Sequence, residues 1–528
     1  MPTLTIDGKQ VTVEPGTTVI QAAEKLGIFV PRYCYHPGLS IAGNCRICLV
    51  EVEKMPKLQI ACNTPVADGM VVRTVSEKVN QGRQSVLEFL LINHPLDCPV
   101  CDQSGECDLQ NFYMAYGLYD PRFREEKVKK AKAVPLGPTV MLDAERCILC
   151  SRCVRFTDEI SKTGELGIFN RGDQAEIGLY PGKELDNRYS GNVVDICPVG
   201  ALTDRDFRFK ARVWYLSSSP SVCNGCSQGC NIDLHYVLDR PHLANGARVM
   251  RVKPRHNPEV NQWWICDEGR YGYKFIDQGR LRQVLHRGTE ISWEEALGQM
   301  AAGLSGARTE GKQASVAVLA SAQLTTEELY LVRKLFVDSL GVAQCSAQVP
   351  AKPGTSDDFL MKGDKNPNTA GAELLGLMGS DPARFDLIER ALDGQVSALW
   401  VFGHDLVELF GEEKVKRLSE KLCQLVFVGS NGNGTSRYAH WVLPSAVYAE
   451  KDGTFVNCHG RVQRIVKAFE PLTDSRPEWE ILLTLFRRLE IPVPWKGPEE
   501  IFAGLGAGIP AFAGMTYEKV GLQGVHVC

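Results

Sequence analysis

Hydrophobic and polar positions alternate at the start of the chain. Leu4-Thr5-Ile6 and Val11-Thr12-Val13 flank Asp7-Gly8, a turn dipeptide that closes a period-2 pattern into a hairpin. The period then lengthens: Val19, Ile20, Ala23 and Leu26 recur at helical spacing and stop at Gly27, which predicts a short amphipathic helix packed across that sheet. A second helix is expected over 76–91, with Val79, Val86, Phe89 and Leu90 as its apolar positions. Across 214–273, Ile232, Leu234, Tyr236 and later Val249 and Arg251 fall in alternating runs, a small strand-rich module. Past Asp277, helical runs over 293–304 and 325–340 alternate with short apolar strands at 398–402 and 425–428, the pattern of an α/β parallel sheet. The Gly- and Ala-rich tail 502–528 shows no periodicity and is expected to be partly loop.

At 528 residues and 44% hydrophobic content, the chain has room for roughly three to four domains. A net charge of -4, without a basic block interleaved with aromatics, argues against nucleic-acid binding. No run reaches the apolar length of a membrane span, and Met1-Pro2-Thr3-Leu4 opens no signal pattern. A cytosolic, reducing setting is therefore expected, with membrane contact only through partners. The cysteines change the picture: of 19, 15 lie from Cys34 to Cys266, mostly in short runs. Such spacings in a reducing compartment point to metal or cluster ligation rather than disulfides.

The triplet Cys147-x2-Cys150-x2-Cys153 with the remote Cys197-Pro198 matches the ligand spacing of a 4Fe-4S cube. Thr157 stands where a two-cluster ferredoxin would place its next cysteine, so Cys197 is expected to close the same cube. Upstream, Cys34, Cys45, Cys48 and Cys62 form a stretched relative of the plant-type 2Fe-2S pattern; a four-cysteine zinc site is the alternative, although structural zinc more often shows two close pairs. His94, Cys98, Cys101 and Cys107 fit either zinc or a 4Fe-4S cluster, and the neighbouring cluster motifs favour iron. A neutral histidine ligand in place of a thiolate is expected to raise the reduction potential. Cys223, Cys226, Cys230 and Cys266 make a fourth constellation, read as a further 4Fe-4S cube with zinc as the weaker alternative.

Three runs, NHPLDCPVCDQSGECDLQ (93–110), CILCSRCVRF (147–156) and GNVVDICPVGAL (191–202), closely resemble the large iron-sulfur subunit family of respiratory complex I, the NADH-quinone oxidoreductase of bacteria. The resemblance implies one 2Fe-2S and two 4Fe-4S clusters on the first three ligand sets, matched residue by residue. It implies a flavin- and NADH-binding partner that delivers electrons to the 2Fe-2S cluster near Cys45. The cubes at Cys147 and then His94 would pass them toward a ferredoxin-like iron-sulfur subunit and finally quinone. Other peripheral-arm subunits are implied partners, the whole complex couples this flow to proton translocation, and the expected location is the cytoplasmic face of the bacterial inner membrane.

The segment from 214 is similar to the cluster module that precedes the catalytic domain of molybdopterin enzymes. SWEEAL (292–297), TTEELYLVRKL (325–335) and EKDGTFVNCHGRVQ (450–463) resemble the molybdopterin oxidoreductase fold. Where related formate dehydrogenases carry a lysine after the last cysteine, this chain has Asp267-Glu268-Gly269-Arg270. Pro350 stands nearest to the expected metal-ligand position, so no molybdenum is expected. The resulting expectation is a multidomain α+β and α/β chain: a β-grasp 2Fe-2S domain (1–78), a His-plus-three-Cys 4Fe-4S segment (79–118), a 4Fe-4S ferredoxin-like domain (119–213), a molybdopterin-type 4Fe-4S module (214–272) and a molybdopterin-oxidoreductase-like α/β domain (273–528).

An electron-transfer subunit without an NADH or flavin site of its own is the leading reading. A catalytic subunit of an NAD-linked formate dehydrogenase or a related hydrogenase is the alternative, and a zinc-stabilised scaffold the second. The loop 429–434 lacks both the P-loop ending and the dinucleotide spacing, and reads as a turn or a vestigial pterin loop. Cys345, Cys423, Cys458 and Cys528 are isolated and expected to be buried thiols. His235, His242, His256, His404, His440 and His459 have no ligand spacing and are expected to be structural.

Overall fold

Asp7 and Gly8 take φ of +46° and +80°, the left-handed pair that a two-residue hairpin turn needs, and join β1 (Thr3–Ile6) to β2 (Lys9–Thr12). The computed structural model describes residues 1–349, 354–378 and 387–528; Pro350 lies outside them. The described chain forms two compact units, Met1–Leu216 with His242–Ala244 and Ser217–Pro241 with Asn245–Cys528.

In the first unit, α1 (Val19–Lys25) is followed by β3 (Leu49–Val52), β4 (Gln59–Ile60) and β5 (Val71–Arg73). The five strands form one mixed sheet of order β2-β1-β5-β3-β4. Leu4, Ile6, Val19, Ile20, Val50 and Val72 share its core. Thr18 N–H donates to Gln21 at the start of α1 (2.9 Å), and Gly27 leaves it at φ +70°.

Next, α2 (Glu77–Leu91) begins at Ser76, whose hydroxyl accepts from Val79 N–H (3.2 Å). Its buried face is Val79, Arg83 and Leu87, whereas Phe89 is 73% exposed. Val86 and Leu90 are half-buried against the core, so three of the four expected positions face inward; Arg83 escaped the pattern because an arginine does not read as apolar. After α3 (Asp108–Tyr116), β6 (Val134–Pro135), β7 (Val140–Leu142), α4 (Arg152–Glu159), β8 (Leu166–Phe169), β9 (Glu176–Leu179), α5 (Asn192–Asp195) and β10 (Leu202–Asp204) complete the unit. They give a β10-β7-β6 sheet and a β8-β9 ribbon.

The second unit opens with the antiparallel sheet β11 (Ser217–Val222), β12 (Asn231–Tyr236) and β13 (Val249–Pro254), then α6 (Asp267–Tyr271). Further on come β14 (Leu285–His286), β15 (Thr289–Glu290), α7 (Trp293–Thr309), β16 (Val316–Ala320), α8 (Thr326–Val332), β17 (Gln344–Ser346), β18 (Ala398–Phe402), β19 (Gln424–Gly429) and β20 (Trp441–Pro444). They build a seven-stranded sheet of order β15-β14-β20-β19-β18-β16-β17, in which β17, β16, β18, β19 and β20 pair in parallel. β21 (Gly453–Val456) and β22 (Arg461–Ile465) form a hairpin. Helix α8 is buried along its whole length, Glu327 and Glu328 included.

The tail is more ordered than its composition indicates. After α9 (Glu478–Arg488), α10 (Pro498–Gly508) buries Ile501, Phe502 and Leu505, α11 (Tyr517–Val520) buries Tyr517, and β23 (Val525–His526) pairs with β22. The small residues between those few large ones conceal the repeat. Of the isolated cysteines, Cys345 is buried, whereas Cys423, Cys458 and Cys528 are exposed, a correction to the expectation of buried thiols. In the 429–434 loop, Asn431 donates to the carbonyls of Phe275 (2.9 Å) and Gln278 (2.7 Å), and Asn433 caps the following helix. No helix among the described residues is long and apolar enough to cross a membrane.

Candidate metal centres

The loop from α1 to β3 carries Cys34, Cys45 and Cys48, and Cys62 follows β4. Gly43 and Arg46 both take φ +63°, turning the loop back so that Cys34 N–H points at Cys45 Sγ (3.4 Å). The Cys34 thiol is a hydrogen-bonding neighbour of Cys45 and Cys62, and Cys62 of Cys48. These contacts link the four thiols as 45–34–62–48, a donor set compact enough for two bridged irons that each take two protein ligands.

His94 follows α2. Cys98 and Cys101 bracket a single 3-10 turn, and Cys107 stands at the N-terminus of α3. His94, Cys98 and Cys107 line a cavity of about 700 Å³ together with Leu87, Leu91 and Leu109. Burial holds the His94 imidazole at about 4, so it is neutral at pH 7, and its Nδ1 is buried without a hydrogen-bond partner among the described residues. A neutral ring with an unpaired buried nitrogen is what a ligand requires. Arg212 ties the loop by donating to the carbonyls of Pro99 (2.6 Å) and Cys101 (2.5 Å). Arg146, paired with Asp97 at 2.7 Å, faces Cys101 and opposes the upward push of burial on that thiol.

The triplet wraps the entry to α4. Leu149 and Ser151 adopt φ of +54° and +61°, strained for residues with a Cβ, and Leu149 N–H reaches Cys147 Sγ at 3.4 Å. Cys197 follows α5, and the amides of Val199, Ala201 and Leu202 converge on its sulfur. All four cysteines line one small apolar cavity with Leu142, Ile177 and Val199. Burial pushes the thiols of Cys147 and Cys150 up to about 12 and about 11. A cationic iron core that deprotonates them is the group such a cage fits.

In the second unit, Cys223 follows β11, Cys230 precedes β12, and Cys223 N–H donates to Cys230 O (2.8 Å). Cys266 caps α6, accepting from Gly269 N–H at 3.4 Å, and Gly225 N–H donates to Cys223 Sγ at 3.4 Å. All four cysteines of this set are buried. A Cβ at Gly269 would come within 3.0 Å of Cys223 Sγ, so glycine keeps the cradle open.

Sequence reasoning did not foresee that the 450–463 run buttresses this loop. Gln463 donates to Gly229 O (2.8 Å), Asn457 to Gln228 O (3.2 Å), and Cys458 N–H to Ser227 O (2.8 Å). The acidic Glu268 after Cys266 pairs with Lys365 at 2.8 Å.

Cluster irons each take one or two protein ligands, a demand that four cysteines lining one apolar cavity, as at Cys147, Cys150, Cys153 and Cys197, can meet. In the first unit, Cys34, Cys45, Cys107, Cys147, Cys150 and Cys197 belong to one apolar core with Tyr33, Ile47 and Phe112.

Five family models match the chain. They are the 2Fe-2S iron-sulfur cluster binding domain (1–77), the NADH-ubiquinone oxidoreductase-G iron-sulfur binding region (83–122), the ferredoxin-like domain of NADH-quinone oxidoreductase subunit 3 (137–203), the molybdopterin oxidoreductase Fe4S4 domain (216–278) and molybdopterin oxidoreductase (366–488). The mitochondrial NADH-ubiquinone oxidoreductase 78 kDa subunit of Candida albicans is 31% identical over 96% of this chain and 85% of its own length. The G subunit of NADH-quinone oxidoreductase from Rickettsia bellii is 38% identical over 90% and 69%. That of Streptomyces coelicolor is 42% identical over 68%, a match that spans 42% of the relative's length. The fold is thus an N-terminal 2Fe-2S domain, 4Fe-4S segments and a molybdopterin-oxidoreductase-like α/β domain. The chain belongs to the family that comprises the G subunit of NADH-quinone oxidoreductase and the 78 kDa subunit of NADH-ubiquinone oxidoreductase.

Proposed function

We propose that this chain is the electron-carrying large iron-sulfur subunit of an NADH:quinone oxidoreductase, with no NADH or flavin site of its own. Cys34, Cys45, Cys48 and Cys62 would hold a 2Fe-2S cluster. His94, Cys98, Cys101 and Cys107, then Cys147, Cys150, Cys153 and Cys197, and then Cys223, Cys226, Cys230 and Cys266 would each hold a 4Fe-4S cluster. When bound, these clusters supply one-electron carriage, which no side chain here provides. The observation that supports this reading most is that ligands of the first three sets share one apolar core.

The protein's own contribution is exclusion of water, backbone amides aimed at sulfur, and buried arginines that offset the thiolates' charge. Its electron donor would be a flavin- and NADH-binding subunit and its acceptor a ferredoxin-like iron-sulfur subunit, within a membrane complex that this chain joins peripherally on the cytoplasmic face and that couples the flow to proton translocation. The division at 1–78, 79–118, 119–213, 214–272 and 273–528 is part of the same reading.

The C-terminal domain serves as scaffold. Its most motif-like residues bond within the fold: Glu450 with Arg280 and Lys451 with Glu328 and Glu478. Single replacements Cys48→Ser, Cys101→Ser, Cys150→Ser and Cys226→Ser in the full chain test the assignment. The first should cost about two iron and each other about four, with loss of one paramagnetic signal apiece. A variant that keeps its full iron would remove that residue from the ligand sets.

A further inference from the structure

Helix α4 begins with a guanidinium in an unusual place. Arg152 is 7% exposed and donates to Tyr35 O (2.6 Å) and Ile196 O (3.0 Å), the carbonyls that follow Cys34 and precede Cys197. Its Nε–H is buried without a hydrogen-bond partner among the described residues. Thiols of two ligand sets lie within reach of its charge, Cys150 and Cys197 of one and Cys45 of the other, as does the carboxylate of Asp108, next to Cys107. One turn on, Arg155 donates to the carbonyls of Cys34 (2.6 Å) and Cys150 (3.4 Å). A cation so deeply buried is costly unless paired, yet its hydrogen bonds go to neutral carbonyls, and Asp108 acts on it only through its field. The anions that would match it are the thiolates of bound clusters.

We propose that Arg152 is a shared tuning residue, whose fixed positive charge between the Cys34 and Cys147 centres favours the reduced state of both. The inference rests on the cluster assignment above. An added electron makes a thiolate-ligated centre more negative. A permanent cation in a water-poor core stabilises that change over several ångströms, because little solvent screens it. Lys carries the same unit charge but lacks the planar fork that reaches both carbonyls, so it separates the charge from the tie. The same geometry predicts opposite signs for two neighbours: removing Arg152's charge disfavours reduction, and removing that of Asp108 favours it.

The test is a redox titration followed by electron paramagnetic resonance on the anaerobically purified full chain, comparing wild type with Arg152→Met, Arg152→Lys and Asp108→Asn. In Arg152→Met the reduced-to-oxidised ratio of both centres at a fixed potential should fall about tenfold, equivalent to a shift of about 59 mV for one electron. Arg152→Lys should stay within about threefold of wild type, and Asp108→Asn should shift the ratio upward. Unchanged ratios in an Arg152→Met protein that retains its iron would overturn the proposal, as would an equal fall in Arg152→Lys, which would make the tie to the two carbonyls the cause. If Arg152→Met fails to load iron, Asp108→Asn decides alone, and no upward shift there refutes the charge argument. Wild-type protein without iron would instead defeat the underlying cluster assignment.

Discussion

Replacing Gln463 with leucine isolates the support that the C-terminal domain gives to the Cys226–Cys230 loop. Gln463 is 1% exposed, and its amide donates to Gly229 O and to Asn231 Oδ1, both at 2.8 Å. Asn231 keeps a second donor in Asn257 (2.8 Å), so the principal loss falls on the Gly229 carbonyl. Leaving one buried carbonyl unpaired costs about 1–3 kcal/mol. The Gln463 Oε1, itself buried without a partner among the described residues, is removed as well, which returns part of that cost. Leucine nearly conserves the volume, so cavity formation adds little. If the cost appears as easier opening of the loop, amide exchange over 224–230 should accelerate roughly 5- to 150-fold. Iron held by the Cys223 set should be stripped faster by a chelator, while exchange at the β1–β2 hairpin stays unchanged. Hydrogen exchange read by mass spectrometry, with iron analysis on the same samples, measures both. Wild-type exchange in the loop of a folded Gln463→Leu protein would refute the idea that this hydrogen bond holds it.

Lys451→Met should leave Glu328 and Glu478 buried without their shared cation, now at 2.8 and 2.6 Å. The expected cost is about 3–5 kcal/mol, seen as a lowered thermal transition and increased exchange along α8. Burial raises the Glu327 carboxyl from its ordinary value to about 7. The folded state therefore holds a proton that the unfolded chain releases near 4.5, and the associated stability, about 3 kcal/mol, is lost as pH rises through 7. Thermal stability should increase as pH falls from 8 to 6, and Glu327→Gln should reduce that slope, the buried Glu478 carboxyl, also raised to about 7, carrying a further share; an unchanged slope would reassign the pH dependence elsewhere. His94→Cys, if it loads iron, should lower the potential of its centre by adding a thiolate's charge, measured in the same titrations.

Local signals were legible where neighbouring residues decide the structure. Asp7-Gly8 dictates its hairpin, Ser76 opens α2, and the closely spaced Cys147 triplet does come together with Cys197 around one small cavity. Long-range features were not. Arg152 bridges carbonyls 117 residues before and 44 residues after it, and Gln463 supports a carbonyl 234 residues upstream; no periodicity encodes such pairs. Arg152 did lie inside a run that stands out for its cysteines, and an arginine between two cluster ligands was a signal available to be weighed. On α2, Val79, Val86 and Leu90 were legible, whereas Phe89 points outward and Arg83, buried and 4.9 Å over the Tyr116 ring, does the work of an apolar residue. In the tail, Phe512 and Tyr517 both pack against Phe502 across spacings that Gly and Ala obscure.

The most direct test of the electron-carrier account is the iron, acid-labile sulfide, zinc and molybdenum content of the anaerobically purified full chain, with paramagnetic resonance after dithionite reduction. The account predicts about 14 iron per chain with matching sulfide and no molybdenum, whereas about 10 would remove one cube, that at Cys223. Stoichiometric zinc with little iron would contradict the central claim, and stoichiometric molybdenum would turn the C-terminal domain from a scaffold into a catalytic one.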